Sequence, residues 1–155
     1  MAAGGTYTRP MGDNVTGERV LGLDYGSRRI GVAVSDPLGL TVQPLPPIRR
    51  ESDAKDIVAL ARLAAEMGVT SVVLGLPLLL NGDEGSAAVR ARAFGQRLQA
   101  ETALPVTMWD ERLTSVQSER HLIASGVRRE DRKGIRDSLS AMFLLQAALD
   151  AGRRK

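Results

Sequence analysis

The chain reads as an α/β domain built on a mixed five-stranded sheet, with three antiparallel strands followed by alternating helix and strand, and helices on both faces. Three observations predict this. The first is a succession of short apolar runs between residues 19 and 48, separated by glycine- and proline-containing turns. The second is a switch after Ser52 to helical spacing that alternates with brief β-rich runs. The third is length, since 155 residues suit one domain with one core.

Arg19 to Asp24 forms the first expected strand. Gly26-Ser-Arg-Arg turns the chain, and Ile30 to Ser35 returns as the second. So short a connection favours an antiparallel hairpin. Leu40 to Ile48 suits a third strand, and its prolines confine it to a sheet edge, because proline cannot donate to a ladder. Ser52 caps a helix with Asp53 and Asp56 in its first turn and a stripe of Ile57, Val58, Ala61, Ala64 and Ala65, which Gly68 terminates. A buried strand follows at Thr70 to Leu74. The loop from Gly75 to Gly85 delivers Ser86 as the cap of a second helix reaching Ala100. Strand Val106 to Asp110, a helix from Ser115 to Ser125 capped by Thr114, and an amphipathic helix from Gly134 to Ala151 complete the order.

Residues 1–18 have no periodicity and read as a disordered extension, 19–152 as the single domain, and 153–155 as a basic tail. The net charge is +3 with a pI near 9.8. That excess clusters in Arg128 to Arg136 and at the C-terminus, a pattern that permits a polyanionic partner or a merely solvated surface. The chain has no cysteine, which excludes disulfides, thiolate catalysis and cysteine-ligated zinc. Its one histidine, His121, sits in a helical pattern that suits an ordinary surface residue better than a base. No apolar run approaches the roughly 20 residues that span a bilayer, and no signal core precedes the domain. The expected location is the cytoplasm, with no membrane partner.

Three acids stand where strand ends and helix starts hold side chains rigidly: Asp24, Glu111 and Asp137. If they converge, they supply oxygen donors suited to a hard cation with little reorganisation. Each also has an ordinary reading. Asp24 before a glycine turn can bond backbone amides, and Asp137 can be a first-turn helix acid. Asp110 and Glu111 should point to opposite faces of their strand, so only one can join a site. Arg29 and Arg112 flank the first two acids and suit either phosphate contact or a structural ion pair. The Gly75 to Gly85 loop is equally a phosphate-binding turn or a simple connection. Trp109 is expected in the core.

The motifs Gly22-Leu-Asp-Tyr-Gly, Arg29-Ile-Gly-Val-Ala-Val-Ser-Asp, Gly75-Leu-Pro-Leu, Asp110-Glu-Arg-Leu-Thr and Ile135-Arg-Asp-Ser-Leu-Ser-Ala together resemble the YqgF/RuvX family of bacterial proteins. That resemblance covers about Arg19 to Gly152. The family usually has Thr where this chain has Ser115, and Ala where it has Ser140; both departures are small and leave the acids intact. The resemblance implies a ribonuclease H-like fold and a nuclease of structured RNA or branched DNA, acting on precursor 16S rRNA, on Holliday junctions, or on both. It implies Asp24, Glu111 and Asp137 as catalytic metal ligands, with two Mg²⁺ or Mn²⁺ ions as cofactor. Arg29, Arg112, Lys133 and Arg136 are the expected nucleic-acid contacts. A monomer or weak homodimer is expected, because symmetric junction cutting requires two acid sets. Two other readings compete: an actin-like ATPase lobe, whose first hairpin also carries an Asp-x-Gly turn, and a non-catalytic nucleic-acid-binding module.

Overall fold

A computed structural model describes residues 18–113 and 129–153; the side chains of 113, 129–137 and 153 lie outside that description. The strands are β1 (Arg19–Tyr25), β2 (Arg29–Ser35), β3 (Val42–Arg49), β4 (Val69–Leu76) and β5 (Val106–Asp110). The helices are α1 (Asp53–Met67), α2 (Ser86–Thr102) and α3 (Arg129–Arg153). The sheet order is β3-β2-β1-β4-β5, with β1, β2 and β3 antiparallel in sequence and β4 and β5 parallel to β1. This is the mixed sheet expected from the run pattern. The three prolines of β3 do lie on an edge.

Strand alternation divides the core into two layers. Leu21, Leu23, Ile30, Val32, Val34, Val72 and Leu74 point to one face, where Ile57 and Leu60 of α1 and Phe94 and Leu98 of α2 cover them. Val20, Ala33 and Val73 point to the other, against Ala141, Leu144, Leu145, Ala148 and Leu149 of α3. Gly22 belongs to this second face. A Cβ there would lie 2.7 Å from Leu145 Cβ and 3.0 Å from the Ala141 carbonyl oxygen, so glycine sets how closely α3 approaches β1. Trp109 packs partly buried on the same layer.

Several local expectations shift. The Ser52 hydroxyl accepts from the Lys55 amide, and Gly68 closes α1 in the left-handed conformation, both as expected. The buried stripe of α1, however, is Ile57, Leu60 and Ala64, while Val58 and Ala65 are exposed. The period fits either choice, and packing on Leu21 and Val72 selects the bulkier Leu60. Ser86 is the first residue of α2 and Gly85 its cap, with no side-chain cap bond. β3 begins at Val42, because Asp36 Oδ1 accepts from the Leu40 and Thr41 amides and holds them in the turn. β4 extends to both sides of its expected span.

The largest correction concerns α3. It starts at Arg129, not at Gly134, so Asp137 is the ninth residue of the helix and is not held there by the helix dipole. A helical glycine costs only about 1 kcal/mol, which the packed apolar face of α3 offsets. The expected helix from Ser115 to Ser125, its Thr114 cap and His121 fall outside the described residues. Among the described residues no helix is long and apolar enough to cross a membrane.

Candidate active site

β1 and β5 flank β4, so acids at their ends start roughly 10 Å apart. What lets them meet is Gly75. Leu23 pairs with Leu74, which brings Asp24 beside Gly75 in the next row. Gly75 pairs in turn with Trp109, two residues before Glu111. With no side chain on Gly75, Glu111 folds across β4. An added Cβ there would meet Glu111 Cγ and Cδ at 2.7 Å and Oε2 at 3.0 Å. Glu111 opens a short 3-10 turn (Glu111–Leu113) and is hydrogen-bonded to Asp24.

The electrostatics follow from two carboxyls sharing one partly buried place. Burial pushes Glu111 up to about 9, and its hydrogen bond to Asp24, the Asp24 charge and the Asp110 charge push in the same direction. Burial also raises Asp24, while the bond from Glu111 acts in the opposite sense. The metal-free pair therefore holds one proton, carried by Glu111 and donated to Asp24. Both residues keep partial exposure, so the pair is open to solvent.

Asp137 reaches this end of the sheet through α3. Gly22 abuts Ala141 and Leu145, whereas Ser138 Oγ donates to the Leu45 carbonyl at 2.7 Å, level with Val32 and Leu23. The helix thus runs antiparallel to β1, and its backbone brings Asp137, just before Ser138, to the Asp24 end. Its side chain lies outside the described residues, as do those of Lys133 and Arg136. Among the described residues no group of three potential metal ligands is assembled.

Asp110 and Glu111 separate as strand alternation requires. Asp110 caps the 3-10 turn by accepting from the Arg112 amide at 2.9 Å. The Arg112 guanidinium forks onto the same carboxylate, Nε to Oδ2 at 2.9 Å and Nη2 to Oδ2 at 2.6 Å, and holds the Asp110 carboxyl below its ordinary range. Of the two readings for Arg112, the structure shows the ion pair. It is a partly exposed pair, which solvent and salt screen. Arg29 opens β2 on the same face as Asp24, two residues from Gly31, the cross-strand partner of Asp24. The Gly75 to Gly85 loop behaves as a connection. Its Leu78, Leu79, Gly82 and Asp83 amides are already bonded within it or to the end of β4.

Sequence reasoning missed Arg50. This residue lies under the β1–β2 turn, donating to the Gly26 carbonyl at 3.0 Å, to Asp53 at 2.5 Å and to Asp56 at 2.6 Å. Its guanidinium carbon stands 4.3 Å from the centre of the Tyr25 ring, which stacks on Phe94 at 4.6 Å. Tyr25 in turn donates to Asp53 at 3.1 Å. Asp56, read from the sequence as a first-turn acid, is only 2% exposed and serves as a buried counter-ion. The hairpin that carries Asp24 is therefore tied to the start of α1. An arginine shortly before a doubly acidic helix start was the available signal.

Gly75→Ala is expected to displace Glu111 from Asp24 while leaving the sheet paired. The protein should fold and lose divalent-ion stabilisation in a thermal melt; undiminished stabilisation would show that Glu111 does not need the gap.

Comparison with known proteins agrees with this architecture. The family model for RuvX, described as Holliday junction resolvase, matches residues 18–151. A Myxococcus xanthus protein whose provisional name is pre-16S rRNA nuclease is 47% identical over 135 residues, covering 87% of this chain and 89% of the relative. A Lactococcus lactis protein of the same name is 48% identical, covering 86% and 94%. Among solved structures, T. thermophilus RuvC in complex with a Holliday junction substrate superposes with a TM-score of 0.59 at 14% identity, over 89% of this chain and 97% of that one. Fowlpox virus resolvase with Holliday junction DNA gives 0.52 at 11%, over 86% and 97%. These two likenesses are of fold. By its family match and by the identity and coverage of its relatives, the chain belongs to the RuvX family and is a nuclease of the hydrolase class.

Proposed function

We propose that Asp24 and Glu111, completed by Asp137 from α3, form a divalent-metal nuclease site that hydrolyses phosphodiester bonds in structured or branched nucleic acid. The observation that carries this reading is the Asp24–Glu111 pair over Gly75. Two carboxyls forced to share a proton are unfavourable as a purely structural arrangement, and a cation relieves them. Oxygen donors without cysteine or histidine among them fit Mg²⁺ or Mn²⁺, two ions in the full site. When bound, such ions neutralise the phosphate charge and lower the pKa of an attacking water. The chain supplies the rest. Two strands fix the carboxyls, partial burial strengthens their field, and the shared proton must leave before both can act as ligands. Arg112, released from Asp110, and Lys133 and Arg136 on α3 are the proposed phosphate contacts, with Arg29.

The substrate we favour is precursor 16S rRNA in the cytoplasm, in line with the relatives' provisional name, with junction cleavage as a related activity. One chain carries one acid set, so a monomer suits single-strand processing, and a weak homodimer would be required for symmetric junction cutting. The test incubates the protein with a labelled stem-loop RNA bearing a 5′ extension, and with a four-way DNA junction, in Mg²⁺, Mn²⁺ or EDTA. Cleavage in metal and none in EDTA is expected. Salt-sensitive binding without cleavage under any metal would return the non-catalytic module.

The pKa shifts give a second check. Glu111 is raised from its ordinary 4.5 to about 9, so the metal-free folded state binds the extra proton throughout that window. Its contribution to stability is complete below about 4.5 and fades as pH rises through about 9. Mg²⁺ displaces that proton, so its stabilising effect should grow with pH. Thermal melts at pH 6 and pH 8.5, with and without Mg²⁺, should show the larger metal-induced rise at the higher pH; equal rises would contradict the shared proton.

A further inference from the structure

Arg29 and Arg49 are direct cross-strand partners at the open end of the β2–β3 ladder. Directly opposed residues of an antiparallel pair project from the same face, so two guanidinium groups stand side by side there. Arg28 is exposed in the adjoining turn, and its carbonyl accepts from the Arg50 amide at 2.8 Å, which pins this backbone in place. Among the described residues, no carboxylate pairs with Arg28, Arg29 or Arg49. Like charges directly opposite one another destabilise a sheet, and a glutamate at either position would remove the repulsion. The arrangement therefore costs stability and gains no carboxylate partner among the described residues.

The face is informative. Ile30, Val32 and Val34 point toward α1 and α2, so Arg29 and its partner Arg49 point to the α3 face, which Asp24 shares. Arg29 is two strand residues from Gly31, the partner of Asp24, or roughly 7 Å along the ladder. Arg29 thus lies roughly one Debye length from Asp24, on its β3 side, with Arg49 one strand farther out. Arg112 lies at the other side, beyond β4, after Asp110 of β5.

We infer that Arg29 and Arg49 form a phosphate-backbone clamp that seats the nucleic-acid strand next to the scissile bond. The inference rests on the proposed nuclease reading for its partner class and extends it to a surface of β3 with no place in the acid site. The clamp reads charge and spacing, not sequence. Guanidinium forks match phosphate oxygens, and two of them side by side give direction to a strand crossing toward Asp24.

The experiment uses the full chain with Arg49→Glu, with the double variant Arg29→Gln/Arg49→Gln, and with a control, Arg62→Gln/Arg90→Gln, that removes two exposed arginines from α1 and α2. Binding to a fluorescently labelled four-way junction and to a stem-loop RNA is titrated in EDTA over a range of salt, and melting is recorded alongside. Arg49→Glu creates a pair with Arg29, so its melting temperature should rise while affinity falls about tenfold or more. Opposite directions in the two readouts cannot come from misfolding. The Gln double variant should flatten the salt dependence by about two units of log–log slope, and the control should change affinity far less. Equal losses in the control and the double variant, or unchanged affinity in Arg49→Glu, would overturn the clamp. Because binding is read without metal, absence of cleavage by the unmutated protein would sink the nuclease reading and leave this result separate.

Discussion

Asp24→Asn is expected to abolish metal-dependent cleavage, by about a thousandfold or more, while making the metal-free protein more stable at alkaline pH. Asparagine keeps the size of the side chain and one acceptor oxygen, so β1 should pair as before. It removes the charge that, with burial, holds Glu111 up to about 9. The folded state then has less reason to bind a proton that the unfolded chain lacks, and the decline in stability between about pH 4.5 and 9 should become shallower. Loss of one ligand also removes the field that positions the hydrolytic water, and groups that act as a unit lose nearly all their effect together. The check combines cleavage rates in saturating Mg²⁺ with melts at pH 6 and 8.5. A variant that cleaves normally would place the metal elsewhere. One that is inactive but keeps the full pH dependence would mean that Asp24 and Glu111 do not share a proton.

Arg50→Met should be the most destabilising single change outside the apolar core, costing about 3–5 kcal/mol. The loss does not come from the ion pairs as such. It comes from leaving Asp56, 2% exposed, without its counter-charge, and the Gly26 carbonyl without its donor, while Asp53 keeps only the Tyr25 hydroxyl. The Tyr25 ring would also lose its cation. Because Gly26 is two residues from Asp24, the remaining folded protein should bind Mg²⁺ more weakly. Arg50→Lys should recover part of the stability, since one ammonium replaces a charge but cannot span three acceptors. Urea denaturation and Mg²⁺ titration of melting temperature measure both effects. A denaturation midpoint within error of the unmutated protein would show that solvent reaches Asp56 after all.

Both changes act on features of different legibility. Asp24 was visible in the sequence as an acid between a buried strand and a glycine turn, and the family resemblance singled it out over the ordinary reading of an acid that bonds turn amides. Arg50 was hidden, because its partners Gly26, Asp53 and Asp56 lie on two elements whose juxtaposition depends on how α1 packs under the hairpin. The same reason explains Arg112. Its neighbour Asp110 is close by in sequence, but the choice between an ion pair and a phosphate contact depends on the 3-10 turn that brings them together. Misplacement of the start of α3 has another cause. Gly134 reads locally as a boundary, and only the apolar surface of α3, laid on β1 and β2, makes a longer helix favourable.

The amino-acid order by itself determined the strand and helix succession, the edge position of the proline-rich strand and the two faces of β5, since these follow from periodicities of 2 and 3.6 and from backbone chemistry that each residue carries locally. The tertiary structure alone decided that Glu111 leans across β4 to Asp24, that Arg50 holds the hairpin from below, and that Arg29 stands against Arg49. Each of these depends on which strands are neighbours and on a side chain absent at Gly75, and distances between segments far apart in sequence are fixed only when the sheet closes.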